Sequence, residues 1–187
     1  LIIGNEGQNN QVLINHGDGT FAKEANLPGG DTMTLAIQVG DLNGDGELDI
    51  VIGNSESQPN QVLLNGGNGK FQLYTDLPAG GTNTKTRAIA LGDINGDGFV
   101  DIITGNEGHS NQVLLNTGNG TFTFKDNLPG GNMDTYAIVL GDLDGDGKLD
   151  IVAGNNNQSN YFLINKGNGT FHELVPLPGG DTMIRTK

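Results

Sequence analysis

The sequence predicts an all-β fold of β-propeller blades, each made of four antiparallel strands. Three near-copies of one segment, GDLNGDGELDIVIGN and its relatives, begin at Gly40, Gly92 and Gly141, with spacings of 52 and 49 residues. Glycine is abundant, at 32 of 187 residues, which suits many tight turns between short strands. A repeat of about 50 residues that holds four strands matches the size of a propeller blade.

Each repeat is predicted to contain four short strands in a fixed order. An apolar run such as LAIQVG is the first strand, DIVIGN or its equivalent is the second, and QVLLN or its equivalent is the third. A Gly-Asn-Gly or Gly-Asp-Gly turn then leads into a fourth strand. That strand opens with a phenylalanine in every copy, at Phe21, Phe71, Phe122 and Phe171. The Leu-Pro pair that follows is expected to close the repeat, because proline cannot donate a hydrogen bond to a ladder.

Aligning the copies gives about four repeats in a single propeller or propeller segment, residues 1–187. The expected repeats are 1–30 (partial), 31–81, 82–131, 132–180, and 181–187 as the start of a next or closing strand. Leu1–Asn5 matches the second strand of later repeats, so the first repeat lacks a first strand and an acidic loop. We therefore expect an open, mature or excised segment of a longer array rather than a closed ring. A β-sandwich is the alternative, but its strands do not normally recur at a fixed period.

An acidic loop joins the first two strands of each complete repeat. Its pattern, Asp-x-Asn/Asp-x-Asp-Gly-x-x-Asp, sets oxygen atoms at alternate positions of a tight loop, where they converge on one point. Several hard oxygen ligands in a flexible geometry are typical of a Ca²⁺ site, whereas Mg²⁺ keeps more of its waters. The predicted ligands of the three sites are Asp41, Asn43, Asp45, Glu47 and Asp49; Asp93, Asn95, Asp97, Phe99 and Asp101; and Asp142, Asp144, Asp146, Lys148 and Asp150.

The seventh loop position holds Glu47, Phe99 or Lys148, so only its backbone carbonyl is expected to bind the ion. Solvated Asp-Gly turns are the simpler interpretation, but two carboxylates about 5 Å apart repel each other by roughly 3 kcal/mol at an effective dielectric constant of 20. An EF-hand is excluded, because its glutamate at position twelve is replaced by isoleucine, threonine or alanine. The loop at Asp142 carries four aspartates, so we expect it to bind tightest.

These loops, together with blocks such as NQVLLNTGNGTF, resemble FG-GAP and VCBS repeats, the calcium-binding blades of integrin-α-like propellers. The resemblance covers nearly the whole chain. It implies a propeller with calcium in the hairpin between the first two strands of a blade. It also implies a secreted or cell-surface protein for adhesion or recognition, with other protein chains or further copies of the same repeat as partners. The Phe-Gly and Gly-Ala-Pro landmarks of integrins are missing, so the microbial type of repeat is closer.

Composition argues against several other functions. The formal net charge of −13 disfavours nucleic acid as a partner, because so acidic a surface repels phosphates. No apolar run reaches the length of a membrane span, so membrane insertion is not expected. Cysteine is absent, the three histidines hold non-equivalent positions, and the aspartates are assigned to metal, so we do not expect an enzyme.

A carbohydrate-binding propeller is the alternative function. Sugars usually stack on aromatic rings, yet the chain has no tryptophan, and Tyr74, Tyr136 and Tyr161 hold non-equivalent repeat positions. A repeated sugar pocket is therefore not expected. Glycosylation sequons begin at Asn119, Asn157 and Asn168, and they have meaning only in a host that glycosylates them.

Overall fold

The computed structural model describes residues 1–55, 58–67, 69–78 and 84–178, which form fifteen strands in four antiparallel sheets. No helix long and apolar enough to cross a membrane occurs in these ranges. The all-β prediction, with three four-stranded sheets and one partial sheet, is confirmed. We number the sheets as blades one to four in chain order. The expected closing segment, residues 181–187, lies outside the described residues.

The strands follow one another across each blade as a simple meander. Blade one holds β1 (Ile2–Ile3), β2 (Gln11–Asn15) and β3 (Phe21–Asn26). Blade two holds β4 (Thr34–Gly40), β5 (Asp49–Asn54), β6 (Gln61–Asn65) and β7 (Phe71–Asp76). Blade three holds β8 (Lys85–Gly92), β9 (Asp101–Glu107), β10 (His109–Asn116) and β11 (Phe122–Met133). Blade four holds β12 (Thr135–Gly141), β13 (Asp150–Asn155), β14 (Tyr161–Leu163) and β15 (Val175–Pro176).

The second strand of each complete blade lies at its centre, and in blades two and three it is buried on both faces, as its continuous apolar triplet predicts. In β5, Ile50, Val51 and Ile52 are all fully buried. Val51 belongs to the core shared with blade three, whereas Ile50 and Ile52 belong to the core shared with blade one. Alternate residues of one strand therefore hold two neighbouring blades together.

Neighbouring blades approach closely because small and polar residues line the contact. A Cβ atom on Gly53 of blade two would lie 2.8 Å from Cγ2 of Thr86 in blade three, so only glycine fits there. The hydroxyl of Thr86 also accepts a 2.9 Å hydrogen bond from the side-chain amide of Asn60 in blade two. Asn10 and Asn111 make the same bond to the first strand of the next blade. Each blade is thus fixed to its successor by both packing and hydrogen bonds.

The end of the third repeat differs from the prediction that the Leu-Pro pair closes it. Strand β11 continues past Leu128 and Pro129 to Met133. Pairing with β10 jumps from Gln112↔Asn127 to Ser110↔Asn132, so residues 128–131 bulge out of the ladder. Within the bulge no ladder bond is required of the proline nitrogen, and the strand can resume beyond it.

The fourth strand of blade four also differs from the prediction, but in the opposite direction, because it is shorter. Phe171 forms only an isolated bridge with Asn165, and the ladder with β14 resumes at Val175–Pro176. Pro176 pairs with Tyr161, where the equivalent pair in blade two is Asp76 with Gln61. The strand is therefore two residues long, and Pro176 is its last residue.

Candidate metal centres

The three acidic loops are the hairpins that join β4 to β5, β8 to β9 and β12 to β13. In each hairpin the register shifts once near the start of the first strand and then runs without interruption to the turn, as in the pair Gly40↔Asp49 of blade two. The structure therefore places the loops at the predicted position, between the first two strands of each complete blade.

The first aspartate of each loop organises the turn. Asp41 Oδ1 accepts the N–H groups of Gly44 at 2.7 Å and Asp45 at 3.2 Å, and Oδ2 accepts the N–H of Gly46 at 2.9 Å. Gly46 has φ of 87°, a conformation that glycine adopts at little cost. Asp93 and Asp142 make the same three contacts in their own loops.

The third and fifth loop positions face each other. Asn43 Oδ1 accepts the N–H of Asp45 at 3.1 Å, and its Nδ2 donates to Asp45 Oδ2 at 2.9 Å. Asn95 and Asp97 repeat both contacts in the second loop. In the third loop an aspartate replaces the asparagine, and oxygens of Asp142, Asp144 and Asp146 all lie within 4.8 Å of one another. Three carboxylates at this spacing fit the oxygen cage of a single cation.

The ninth position, in contrast, is buried and tied to the backbone. Asp101 Oδ2 accepts the N–H of Ile94 at 2.9 Å, and Oδ1 accepts the N–H of Asn116 at 2.8 Å. Asp49 and Asp150 make the equivalent pairs of bonds. Each carboxylate oxygen has a second lone pair, so these contacts orient the group without using all of its acceptor capacity. Its assignment as a metal ligand stays a prediction.

Burial raises the pKa of the ninth-position carboxylates Asp101 and Asp49. It raises the pKa of Asp101 to about 6, and the nearby charges of Asp97 and Asp93 act in the same direction. Burial likewise raises the pKa of Asp49, with smaller contributions from Asp45 and Asp41. A bound cation would oppose both effects, since positive charge favours the ionised carboxylate.

The seventh position differs between the loops in its side chain only. The N–H of Glu47, Phe99 or Lys148 donates to the preceding aspartate at 2.8 to 2.9 Å in every loop. Lys148 adds a contact of its own, because its ammonium group bonds to Asp146 Oδ2. This side-chain bond is the main reason that the pKa of Asp146 is lowered, and it raises the pKa of Lys148.

Lys148 bears on the expected order of calcium affinity among the three loops. Its charge offsets the extra carboxylate that Asp144 brings to the third loop. Glu47, the equivalent residue of the first loop, instead adds a negative charge. Tightest binding at the Asp142 loop therefore depends on both its aspartate count and the Lys148 contact, and it stays a prediction.

Sequence reasoning missed the asparagine at or just beyond the end of the third strand, which we call the clamp asparagine: Asn65, Asn116 and Asn165. The amide of Asn165 donates to the carbonyl of Leu149 at 2.9 Å in its own blade and to Ile94 at 2.8 Å in the loop of the preceding blade. Asn116 makes the same pair of bonds to Val100 and Leu42. An asparagine ends every NQVLLN-type block, and this recurrence could have pointed to a shared role. The sequence does not show, however, which carbonyl groups accept the hydrogen bonds of its amide.

The described tyrosines offer no shared platform for a sugar. Tyr161 is buried, and its hydroxyl accepts a 2.9 Å hydrogen bond from Asn111. Tyr136 is exposed, but the guanidinium of Arg87 stacks 5.2 Å from its ring centre. The side chain of Tyr74 lies outside the described residues. Carbohydrate binding stays a prediction that no contact described here favours.

Comparison with known proteins places these blades in a family. The model of the FG-GAP-like repeat matches the chain four times, at residues 1–52, 41–104, 93–153 and 142–185. Among solved structures, a chain described as BBS1N in complex with ARL6DN, soaked with lead, superposes with a TM-score of 0.60 at 15% identity. The match covers 95% of this chain and 52% of that one, so this chain spans about half of its length. No curated protein sequence matches significantly.

At 15% identity the structural likeness shows the fold alone, and together with the repeats it confirms the predicted β-propeller blades. The four matches overlap and extend over nearly all of the sequence. The chain belongs to the FG-GAP-like repeat family.

Proposed function

We propose that this chain is a calcium-binding protein-interaction module without enzymatic activity, in which three ions rigidify the acidic hairpin loops of the complete blades. The observation that carries the proposal is the common architecture of the loops. In each of them the first aspartate is held by three backbone N–H groups beside two further oxygen-bearing side chains. A site whose ligands are already ordered loses little entropy when the ion enters.

The donor chemistry favours calcium over other metals. Carboxylate, amide and backbone carbonyl oxygens are available, whereas the sequence has no cysteine to offer a soft metal. Within the described residues the acidic group of the third loop is the clearest candidate, because its three carboxylates converge. In the first two loops Asn43 and Asn95 supply a neutral oxygen in place of the middle carboxylate.

The first two loops also form part of contacts between blades, which links calcium to recognition. Asn116 holds the first loop through Leu42, and Asn165 holds the second loop through Ile94. Repeat propellers are used mainly as rigid surfaces for protein partners, so a device that orders the edges of the blades suits that role. We extend the proposal to a secreted or cell-surface location, where calcium near millimolar concentration would fill sites of modest affinity.

Thermal unfolding with calcium and with a chelator tests this function. Three ions bound to the folded state raise the melting temperature, because each stabilises it by RT ln(1 + [L]/Kd), about 2.7 kcal/mol at one hundred times Kd. Replacing Asp45, Asp97 and Asp146 by alanine together should abolish most of the calcium effect. Asp18→Asn is the matched control, since Asp18 lies in a Gly-Asp-Gly turn and bonds only to Thr20. The proposal would be contradicted if calcium raised the melting temperature of the triple variant as much as that of the control.

A further inference from the structure

Two of the acidic loops contain an asparagine directly before a glycine, Asn43-Gly44 in the first loop and Asn95-Gly96 in the second. In such a pair the glycine nitrogen can attack the side-chain amide carbon of the asparagine, because glycine has no side chain to hinder the approach. A Cβ atom on either glycine would meet nothing within 4 Å, so the peptide has room to close into a ring. Both asparagines are half-buried and both glycines are exposed, so water reaches this peptide.

The attacking nitrogen already has a proton acceptor in each loop. The N–H of Gly44 donates to Asp41 Oδ1 at 2.7 Å, and the N–H of Gly96 donates to Asp93 Oδ1 at 2.8 Å. The nitrogen loses its proton when it attacks a carbonyl carbon. A carboxylate in hydrogen-bond contact with that proton can accept it, which is the role of a general base.

The amide under attack is also hydrogen-bonded at its oxygen. The N–H of Asp45 donates to Asn43 Oδ1 at 3.1 Å, and the N–H of Asp97 donates to Asn95 Oδ1 at 2.9 Å. Negative charge develops on this oxygen when the nitrogen adds to the carbon, and a backbone donor stabilises that charge. Both loops therefore hold the nucleophile, its proton acceptor and the donor to the developing oxyanion in contact.

We propose that Asn43 and Asn95 are sites of spontaneous deamidation, in which each loop promotes the conversion of its own asparagine to an acidic residue. The glycine nitrogen bonds to Cγ, its proton passes through the aspartate to Nδ2, and the Cγ–Nδ2 bond breaks to release ammonia. Water then opens the succinimide ring that results. Addition of water at Cγ leaves an aspartate, whereas addition at the backbone carbonyl carbon leaves an isoaspartate.

The third loop shows that the fold accepts the aspartate product. Asp144 stands at the position of Asn43 and Asn95 in the aligned loops. The N–H of Asp146 donates to Asp144 Oδ1 at 3.1 Å, which is the length of the equivalent bond in the first loop. Deamidation to aspartate thus gives the first two loops the carboxylate set of the third, and the added charge should raise their affinity for calcium.

Peptide mass spectrometry of the 187-residue chain, incubated in a chelator at neutral pH, tests the reaction. Chelation is needed because a cation on the aspartates would withhold the proton acceptor, but the reaction itself does not depend on calcium binding. We expect aspartate and isoaspartate to form at Asn43 and Asn95 about tenfold or more faster than at Asn119. Asn119 also precedes a glycine, but Thr117 stands where the first loop has Asp41.

Two further variants control for each other. Asp41→Asn should slow deamidation at Asn43 about tenfold or more and leave Asn95 unchanged, and Asp93→Asn should do the reverse. The new amide is of the same shape and keeps an acceptor oxygen, so a lower rate reports the missing base. An unchanged or higher rate in the altered loop would overturn the inference. Equal rates at Asn43 and Asn119 in the unaltered chain would also overturn it, without any substitution that could disturb folding.

Discussion

The side-chain amide of Asn116 donates a 2.8 Å hydrogen bond to the carbonyl oxygen of Leu42, which lies 74 residues earlier in the sequence. The same amide donates to Val100 at 2.9 Å, so one side chain ties together the first acidic loop, the end of the second acidic loop and the third strand of blade three. Asn116 and Leu42 are both buried, whereas Val100 is half-buried. The first two acidic loops are therefore structural parts of the contacts between blades as well as candidate metal centres.

Replacing Asn116 by alanine should destabilise the fold by about 1 to 3 kcal/mol, because it leaves buried carbonyl groups without a donor. Chemical denaturation followed by circular dichroism measures this change in the free energy of unfolding. Asn15→Ala is the control, since Asn15 holds the same repeat position but is exposed. The measurement is made at a protein concentration where the chain is monomeric. If both variants lost the same free energy of unfolding, the hydrogen bond from Asn116 to the neighbouring blade would contribute nothing to stability.

Close approach of the blades gives a second prediction. A methyl group on Gly53 would lie 2.8 Å from Thr86 Cγ2 and 3.1 Å from the Thr86 carbonyl oxygen, so Gly53→Ala should cost about 1 to 3 kcal/mol. The equivalent glycine of blade four, Gly154, has Ala137 Cβ as its nearest neighbour at 3.4 Å. Gly154→Ala should therefore be tolerated. Denaturation midpoints of the two variants compare the sites directly, and a larger loss at Gly154 would contradict this account of blade packing.

The third prediction concerns the only seventh-position lysine. Lys148→Gln removes the cation that bonds to Asp146 and should raise the calcium affinity of the third loop about two- to fivefold, the range expected for an exposed ion pair. Lys166→Gln, at an exposed lysine outside the loops, controls for net charge. Calorimetric titration in an Asp45→Ala, Asp97→Ala background isolates the third loop. An unchanged or lowered affinity would mean that the ammonium does not compete with the ion.

Much of the fold was predictable because the sequence repeats. The spacing of the loops, the apolar triplet of β5 and the turn glycines are local signals, and they place strands and loops correctly. The partial first sheet also follows from the alignment of Leu1–Asn5 with later repeats. The bulge at Pro129 was only half visible, because whether a proline ends a strand depends on whether its nitrogen faces a partner.

Contacts between blades could not be read from the repeats in the same way. Phe21 and Phe122 occupy identical sequence positions, yet 47% of one side chain and 4% of the other are exposed, because burial depends on whether a neighbouring loop covers the ring. The acceptors of Asn116 and Asn165 are likewise set by packing and not by spacing. The sequence identifies the possible ligands of each loop. It does not show that the Lys148 ammonium bonds to Asp146 and so offsets negative charge in the third loop.

The fourth prediction is the number of calcium ions bound by the chain, and it tests the central claim most directly. Equilibrium dialysis, or calorimetric titration of the chelator-treated protein, should give three ions per 187 residues, one for each complete acidic loop. The partial first blade has no such loop among residues 1–30 and should add none. Alanine at Asp45, Asp97 or Asp146 should each remove one ion and leave two. A chain that binds no calcium, or that keeps all three ions after these substitutions, would contradict the account.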